Sequence, residues 1–133
     1  MNTVADASVF VDAVAGDEVR RASAQRSLAG ASLAAPQLLD VELAHALRRA
    51  VRRGDIGAAT AHDGLRAVAR LPSLERFPHL GLLDRVWELR EAFTAYDACY
   101  VALAERLRAT LLTCDRRLAA SAAAYCEVAV VGS

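Results

Sequence analysis

The 133-residue chain contains no lysine; all sixteen of its Lys and Arg positions are arginine. Chemistry that needs a lysine amine is excluded, including Schiff bases, Walker A phosphate loops and lysine-assisted phosphoryl transfer. Sixteen acidic residues balance the arginines, so the net charge is formally zero and no whole-molecule field draws the chain to nucleic acid or to an anionic membrane. Any such binding has to be local. No apolar run approaches the length of a membrane span, and Met1 to Asp6 lacks the basic region and cleavage site of a secretory leader. The three cysteines, Cys99, Cys114 and Cys126, are odd in number and lie in apolar stretches, which favours reduced core thiols over a disulfide framework. These features predict a cytoplasmic protein. Its size and its 55% hydrophobic content predict one domain over residues 1–133 with an ordinary core.

What is present is an alternation of short apolar runs with amphipathic segments. Val4-Ala5 reads as a strand ending at Asp6, followed by helical turns from Val9 to Val14. Residues 17–29 give a helical pattern with Val19, Ala22, Ala24 and Leu28 on its apolar side, and Ser32 to Ala35 gives a second strand before Pro36. A helical hairpin follows. Leu39, Leu43, Ala46, Leu47 and Ala50 recur at three-and-four spacing up to Gly54, and Ile56, Ala59, Leu65, Val68 and Leu71 repeat the pattern with an interruption at Gly64. Leu74 to Phe77, short and flanked by prolines, reads as a third strand. Leu82 to Phe93 reads as a helix burying Leu83, Val86, Trp87 and Leu89, and Tyr96 to Arg108 as a stronger one. Thr110 to Cys114 and Glu127 to Val131 are strands around an Ala-rich helix. Parallel strands require crossovers and crossovers are usually helical, so this alternation predicts an α/β fold with a parallel sheet covered on both faces.

In such a sheet the binding site lies at the carboxyl ends of the strands. Asp6 follows the first strand and Asp115 the fourth; Asp97 lies in the first turn of the helix after Thr94, and Glu42 one turn into the helix after Pro36. The four acids should gather at one rim. Clustered carboxylates repel unless a cation neutralises them, and hard oxygen ligands suit Mg²⁺ or Mn²⁺. Each acid also has a structural reading: Asp6 and Asp115 as N-caps, Asp97 as the third residue of a Thr94-x-x-Asp97 capping box, and Glu42 as the ion-pair partner of Arg48 or Arg49.

Taken together, the blocks Val4-Ala5-Asp6-Ala7-Ser8-Val9, Glu42-Leu43-Ala44-His45-Ala46-Leu47, Tyr96-Asp97-Ala98-Cys99-Tyr100-Val101-Ala102-Leu103 and Leu111-Leu112-Thr113-Cys114-Asp115-Arg116-Arg117-Leu118 resemble PIN-domain ribonuclease toxins of the VapC type. The resemblance implies a three-layer sandwich with a five-stranded parallel sheet in the order 3-2-1-4-5. It implies that Asp6, Glu42, Asp97 and Asp115 are the catalytic, metal-binding acids, with Thr113 and Ser8 as polar neighbours supporting them. Metal-assisted hydrolysis of RNA to 5′-phosphate and 3′-hydroxyl ends would follow, with no protein nucleophile. His45, His62 and His79 are scattered without metal-ligand spacing, in keeping with that mechanism.

Arg48, Arg49, Arg52 and Arg53 on the hairpin, and Arg116 and Arg117 after Asp115, are candidates for RNA phosphate contacts, with a solvated helix face as the alternative. Tyr96, Tyr100 and Trp87 fit core or interface packing better than base stacking. The resemblance further implies a homodimer and a small VapB-like antitoxin whose terminal segment occupies the groove near the acids. The apolar hairpin from Leu38 to Leu71, with Leu43, Leu47 and Leu65, is the surface expected to receive it. A phosphoacceptor receiver domain, also α/β with acids at strand ends, needs a lysine that is lacking. A catalytically silent PIN-like interaction module is disfavoured because no acid of the pattern is missing.

Overall fold

A computed structural model describes residues 2–132. Strands β1 (Asn2–Ala5), β2 (Ser32–Pro36), β3 (Leu74–Phe77), β4 (Thr110–Thr113) and β5 (Val128–Val130) form one all-parallel sheet in the order β3-β2-β1-β4-β5. The helices are α1 (Ala7–Ala15), α2 (Glu18–Leu28), α3 (Leu39–Arg53), α4 (Ala58–Ala69), α5 (Leu83–Glu88), α6 (Ala95–Leu107) and α7 (Arg116–Ala122). This is the expected α/β fold and strand order.

Neighbouring strand residues point to opposite faces. Leu111 joins the core built on Tyr100 and Leu103 of α6, whereas Leu112 packs with Val9 of α1 and Ala24 of α2. Both faces are therefore covered. Ala98 to Ala104 of α6 are all buried, the pattern of a helix enclosed on every side. The α3 stripe of Leu39, Leu43, Leu47 and Ala50 is buried as its spacing predicts, and α3 ends at Gly54, whose φ of 83° is the left-handed conformation that suits glycine.

Central β1 pairs with β2 on one side and β4 on the other. Strand order reverses between β1 and β4, so their carboxyl ends open the crevice where sheets of this kind bind ligands. Asp6 and Asp115 flank that crevice. The Asp6 N–H continues the ladder by donating to the Leu112 carbonyl at 2.9 Å.

Several local expectations are corrected. The helix expected over Leu82 to Phe93 is a 3-10 turn (Leu80–Leu82) followed by α5 alone, and its buried stripe is Leu82, Val86, Leu89 and Phe93. Leu83 and Trp87 point outward, 46% and 68% exposed. Leucines on both sides of the true stripe made the period ambiguous. Val19 sits in the first turn of α2 and is exposed; the helix packs through Ala24 and Leu28 instead. Helix α4 runs through Gly64 without a break, because the missing side chain lets α4 approach Val14 of α1. Leu43 and Leu47 are 0% and 3% exposed and belong largely to the core, while Leu65 is half-buried and lines, with Leu47 and Val51, a shallow apolar groove between α3 and α4. No helix among the described residues is long and apolar enough to cross a membrane, and all three cysteines are free thiols.

Candidate active site

Asp6 occupies the N-cap position of α1, yet its side chain does not cap the helix. It turns into the protein, 6% exposed, where its Oδ2 accepts hydrogen bonds from Ser8 Oγ at 2.7 Å and Thr113 Oγ1 at 2.9 Å. The capping expectation for Asp6 is thus corrected by the hydroxyls that compete for its carboxylate. Thr113 is fully buried and its Oγ1 also accepts from the Asp115 N–H at 3.0 Å, while Ser8 Oγ accepts from the Cys114 N–H at 3.0 Å. The end of β4 is therefore tied to the end of β1 through two hydroxyls. Burial raises the Asp6 carboxyl above its ordinary range, and the Ser8 and Thr113 bonds offset only part of that.

Asp115 does cap its helix: Oδ1 accepts from the N–H groups of Arg117 at 2.9 Å and Leu118 at 3.2 Å. Its other oxygen has no hydrogen-bond partner among the described residues. Asp97 stands in the first turn of α6, its N–H donating to Thr94 Oγ1 at 3.2 Å. Burial raises its carboxyl, and the charges of Asp6 and Asp115 raise it further. Glu42 on α3 is half-buried, and its partner is neither Arg48 nor Arg49. The Tyr100 hydroxyl donates to its Oε1 at 2.7 Å. Burial raises the Glu42 carboxyl, the Tyr100 bond lowers it, and Asp6 and Asp97 raise it again.

The four acids thus come from the ends of β1 and β4, from α3 and from α6, and they act on one another through space. The arginines do not relieve them. Ion pairs among the described residues join arginine to Asp17, Asp40, Asp55, Glu88, Glu91 and Glu105, and none reaches these four.

The pattern of the PIN domain matches residues 3–124. Ribonuclease VapC1 of Mycobacterium tuberculosis is 45% identical over 130 residues, which is 96% of this chain and 96% of the relative. Ribonuclease VapC9 of the same species is 41% identical over 128 residues, 96% of this chain and 97% of the relative. The chain belongs to the PIN-domain family, among the VapC ribonucleases. A crystal structure of VapBC2 from Rickettsia felis, bound to a DNA fragment from its promoter, shares the PIN fold, with a TM-score of 0.68 at 14% identity over 98% of this chain and 99% of that one.

A cleft of about 740 Å³ opens beside Asp6 and Glu42. Asp6, Ser8 and Glu42 line it together with Asp12, His45 and the apolar side chains of Leu38, Val41 and Tyr96. Its entrance is bordered by exposed apolar groups, since Val41 and Tyr96 are 74% and 64% exposed. Of the three aromatic residues expected in core or interface packing, Tyr100 is in the core, and Tyr96 and Trp87 are on the surface, where an interface would lie. Arg48, Arg49, Arg52, Arg116 and Arg117 are all exposed. Asp40, one turn ahead of Leu43, is held by Arg76 through bonds of 2.6 and 2.9 Å, which fixes the first turn of α3 and with it the start of the Glu42 arm.

The sequence reading missed Tyr100 as the partner of Glu42, and Asp12 and His45 as cleft residues. Tyr100 could have been found, because it lies three residues after Asp97 and so shares its side of α6. Cysteine chemistry is not part of the site: burial, with Asp12 nearby, pushes the Cys114 thiol up to about 12, leaving it protonated and unreactive at neutral pH.

Proposed function

We propose that this VapC-family chain is the toxin of a toxin–antitoxin pair, an endoribonuclease that hydrolyses RNA with the help of Mg²⁺ or Mn²⁺ held by Asp6, Asp97, Asp115 and Glu42. The observation that carries the reading is that Asp6, Glu42, Asp97 and Asp115 stand about the strand-switch crevice and none is paired with an arginine among the described residues. Such a donor set fits a hard divalent ion. Among the described residues no three His, Cys, Asp or Glu groups close round one point; Asp6, Asp97, Asp115 and Glu42 would offer the ion carboxylate oxygens, the donors that Mg²⁺ takes. When bound, the ion supplies water activation and charge neutralisation for in-line displacement at phosphorus, leaving 5′-phosphate and 3′-hydroxyl ends.

The protein's own groups prepare that chemistry. Ser8 and Thr113 hold the Asp6 carboxylate in one orientation, and Tyr100 does the same for Glu42. Arg116 and Arg117, directly after Asp115, and Arg48, Arg49 and Arg52 on the hairpin provide cations for the phosphates flanking the cut. A homodimer, a VapB-like antitoxin and a cytoplasmic site of action complete the proposal. The VapBC2 neighbour supports the antitoxin, whose segment would lie in the cleft beside the acids and along the apolar groove of the hairpin at Leu47 and Leu65.

The deciding experiment is RNA cleavage by the wild type, Asp6→Asn and Asp97→Asn, each with Mg²⁺, with Mn²⁺ and with excess chelator. Cleavage by the wild type in metal alone, lost in both variants while their circular dichroism is unchanged, is the expected result. Full activity in chelator would remove the metal from the mechanism.

A further inference from the structure

We propose that Tyr96 is a stacking platform for an unpaired nucleobase next to the scissile phosphate, making it a specificity-determining residue of the cleft. The inference rests on the ribonuclease reading above. Three aromatic side chains are exposed, and they differ in what covers their rings. The Arg90 guanidinium lies 4.7 Å from the centroid of Trp87, and Tyr125 is packed edge-on by Phe93 at 5.5 Å with Arg85 at 6.0 Å on its ring. Tyr96 has no ring or cation partner among the described residues and its hydroxyl makes no hydrogen bond there. It is 64% exposed, at a cost in solvated apolar surface that packing elsewhere would have avoided.

Its position suggests what the ring meets. Tyr96 immediately precedes Asp97, and Val41, 74% exposed, immediately precedes Glu42; both border the cleft that Asp6 and Glu42 line. Two apolar side chains thus stand one residue away from two of the acids, on separate helices. A nucleotide has the matching halves, a phosphate that the divalent ion proposed above would join to the acidic floor and a flat apolar base for the border. Only an unpaired base presents that face, so the substrate at this point is single-stranded or splayed out of a helix.

The test uses the full chain and a short randomised single-stranded RNA pool. Binding is followed by fluorescence anisotropy in Ca²⁺, a divalent ion that can join phosphate to carboxylates, and cleavage in Mg²⁺, for the wild type, Tyr96→Ala and Tyr96→Phe. The alanine variant should bind about ten-fold more weakly and show a matching rise in KM, with an unchanged Mg²⁺ requirement; the phenylalanine variant, which keeps the ring, should behave as the wild type. An abasic nucleotide beside the preferred cut should weaken the wild type and add nothing to the loss in Tyr96→Ala. Equal binding by Tyr96→Ala and the wild type would overturn the proposal, as would an abasic penalty of the same size in both. If RNA binding is unchanged and antitoxin binding is lost, the ring belongs to a protein interface and the proposal falls. RNA binding that depends on Tyr96 without cleavage in any metal would sink the nuclease reading and overturn the place of the ring beside a scissile phosphate, leaving only a stacking contact; no RNA binding at all by the wild type would sink both.

Discussion

The Tyr100 hydroxyl donates to Glu42 Oε1 at 2.7 Å, joining α6 to α3 across the rim of the sheet. Tyr100 is fully buried, so the donor is fixed by the core while its acceptor stays half-exposed at the site. A neutral donor steadies the carboxylate without cancelling its charge, which an arginine would do. Tyr100→Phe keeps the ring and removes the bond. It should cost about 1–2 kcal/mol, the low end for a bond to a charged group because water reaches Glu42, and lower the melting temperature by several degrees. An unchanged melting temperature in a thermal denaturation series would mean that water replaces the hydroxyl at no cost.

The sheet was legible because a strand needs its apolar run, and the positions of Asp6 and Asp115 because the residue after a strand is fixed by chain order; Glu42 and Asp97 were placed by the helix starts they follow. What packs across the fold was less legible. The spacing of Tyr100 from Asp97 gives its side of α6 but not its partner 58 positions away, and an Ala- and Leu-rich segment such as residues 82–93 admits more than one apolar stripe. Val41 and Tyr96, apolar or aromatic by type, stand outside by position.

Gly64 shows the same limit in a form that can be measured. Helix propensity alone favours alanine over glycine in mid-helix by about 1 kcal/mol. A Cβ at Gly64 would, however, overlap the methyl groups of Val14, a stiff β-branched side chain on α1. Gly64→Ala should therefore destabilise, by about 1–3 kcal/mol as overpacking does. Val14→Ala in the same background should recover part of the loss by making room. Urea denaturation of the two variants decides the sign, and a stabilised Gly64→Ala would mean that α1 and α4 separate freely.

The acid cluster sets a pH dependence with a definite sign. Asp6, Glu42 and Asp97 are all held above their ordinary values, with burial as the first cause in each. Between the unfolded value of about 4 and the raised folded value, the folded protein binds more protons than the unfolded chain. The cluster's contribution to stability therefore falls as pH rises through that window, and metal-free protein gains from these groups on mild acidification. In EDTA the stability of Asp97→Asn should decline less with rising pH than that of the wild type, and its melting temperature at neutral pH should equal or exceed it. Identical pH slopes for the two proteins would show that Asp97 carries none of the strain.

Asp115 separates the structural role of these acids from the metal-binding one, because its two oxygens face different duties. Oδ1 caps α7 through Arg117 and Leu118, while the carboxylate as a whole raises Asp97 through space. Asp115→Ala should lose both: about 0.5–2 kcal/mol from the cap in metal-free protein, and the stabilisation that metal gives. Asp115→Asn keeps an oxygen for the cap and removes the charge, so it should melt close to the wild type in EDTA and still respond weakly to metal. In the wild type, Mn²⁺ at 100 times its dissociation constant should add about 2.7 kcal/mol, a rise of several degrees. Scanning fluorimetry of the three proteins with and without Mn²⁺ reads each effect separately. Should Asp115→Asn respond to Mn²⁺ as fully as the wild type, Asp115 is a helix cap and nothing more, and the ion must be held by Asp6, Asp97 and Glu42 alone.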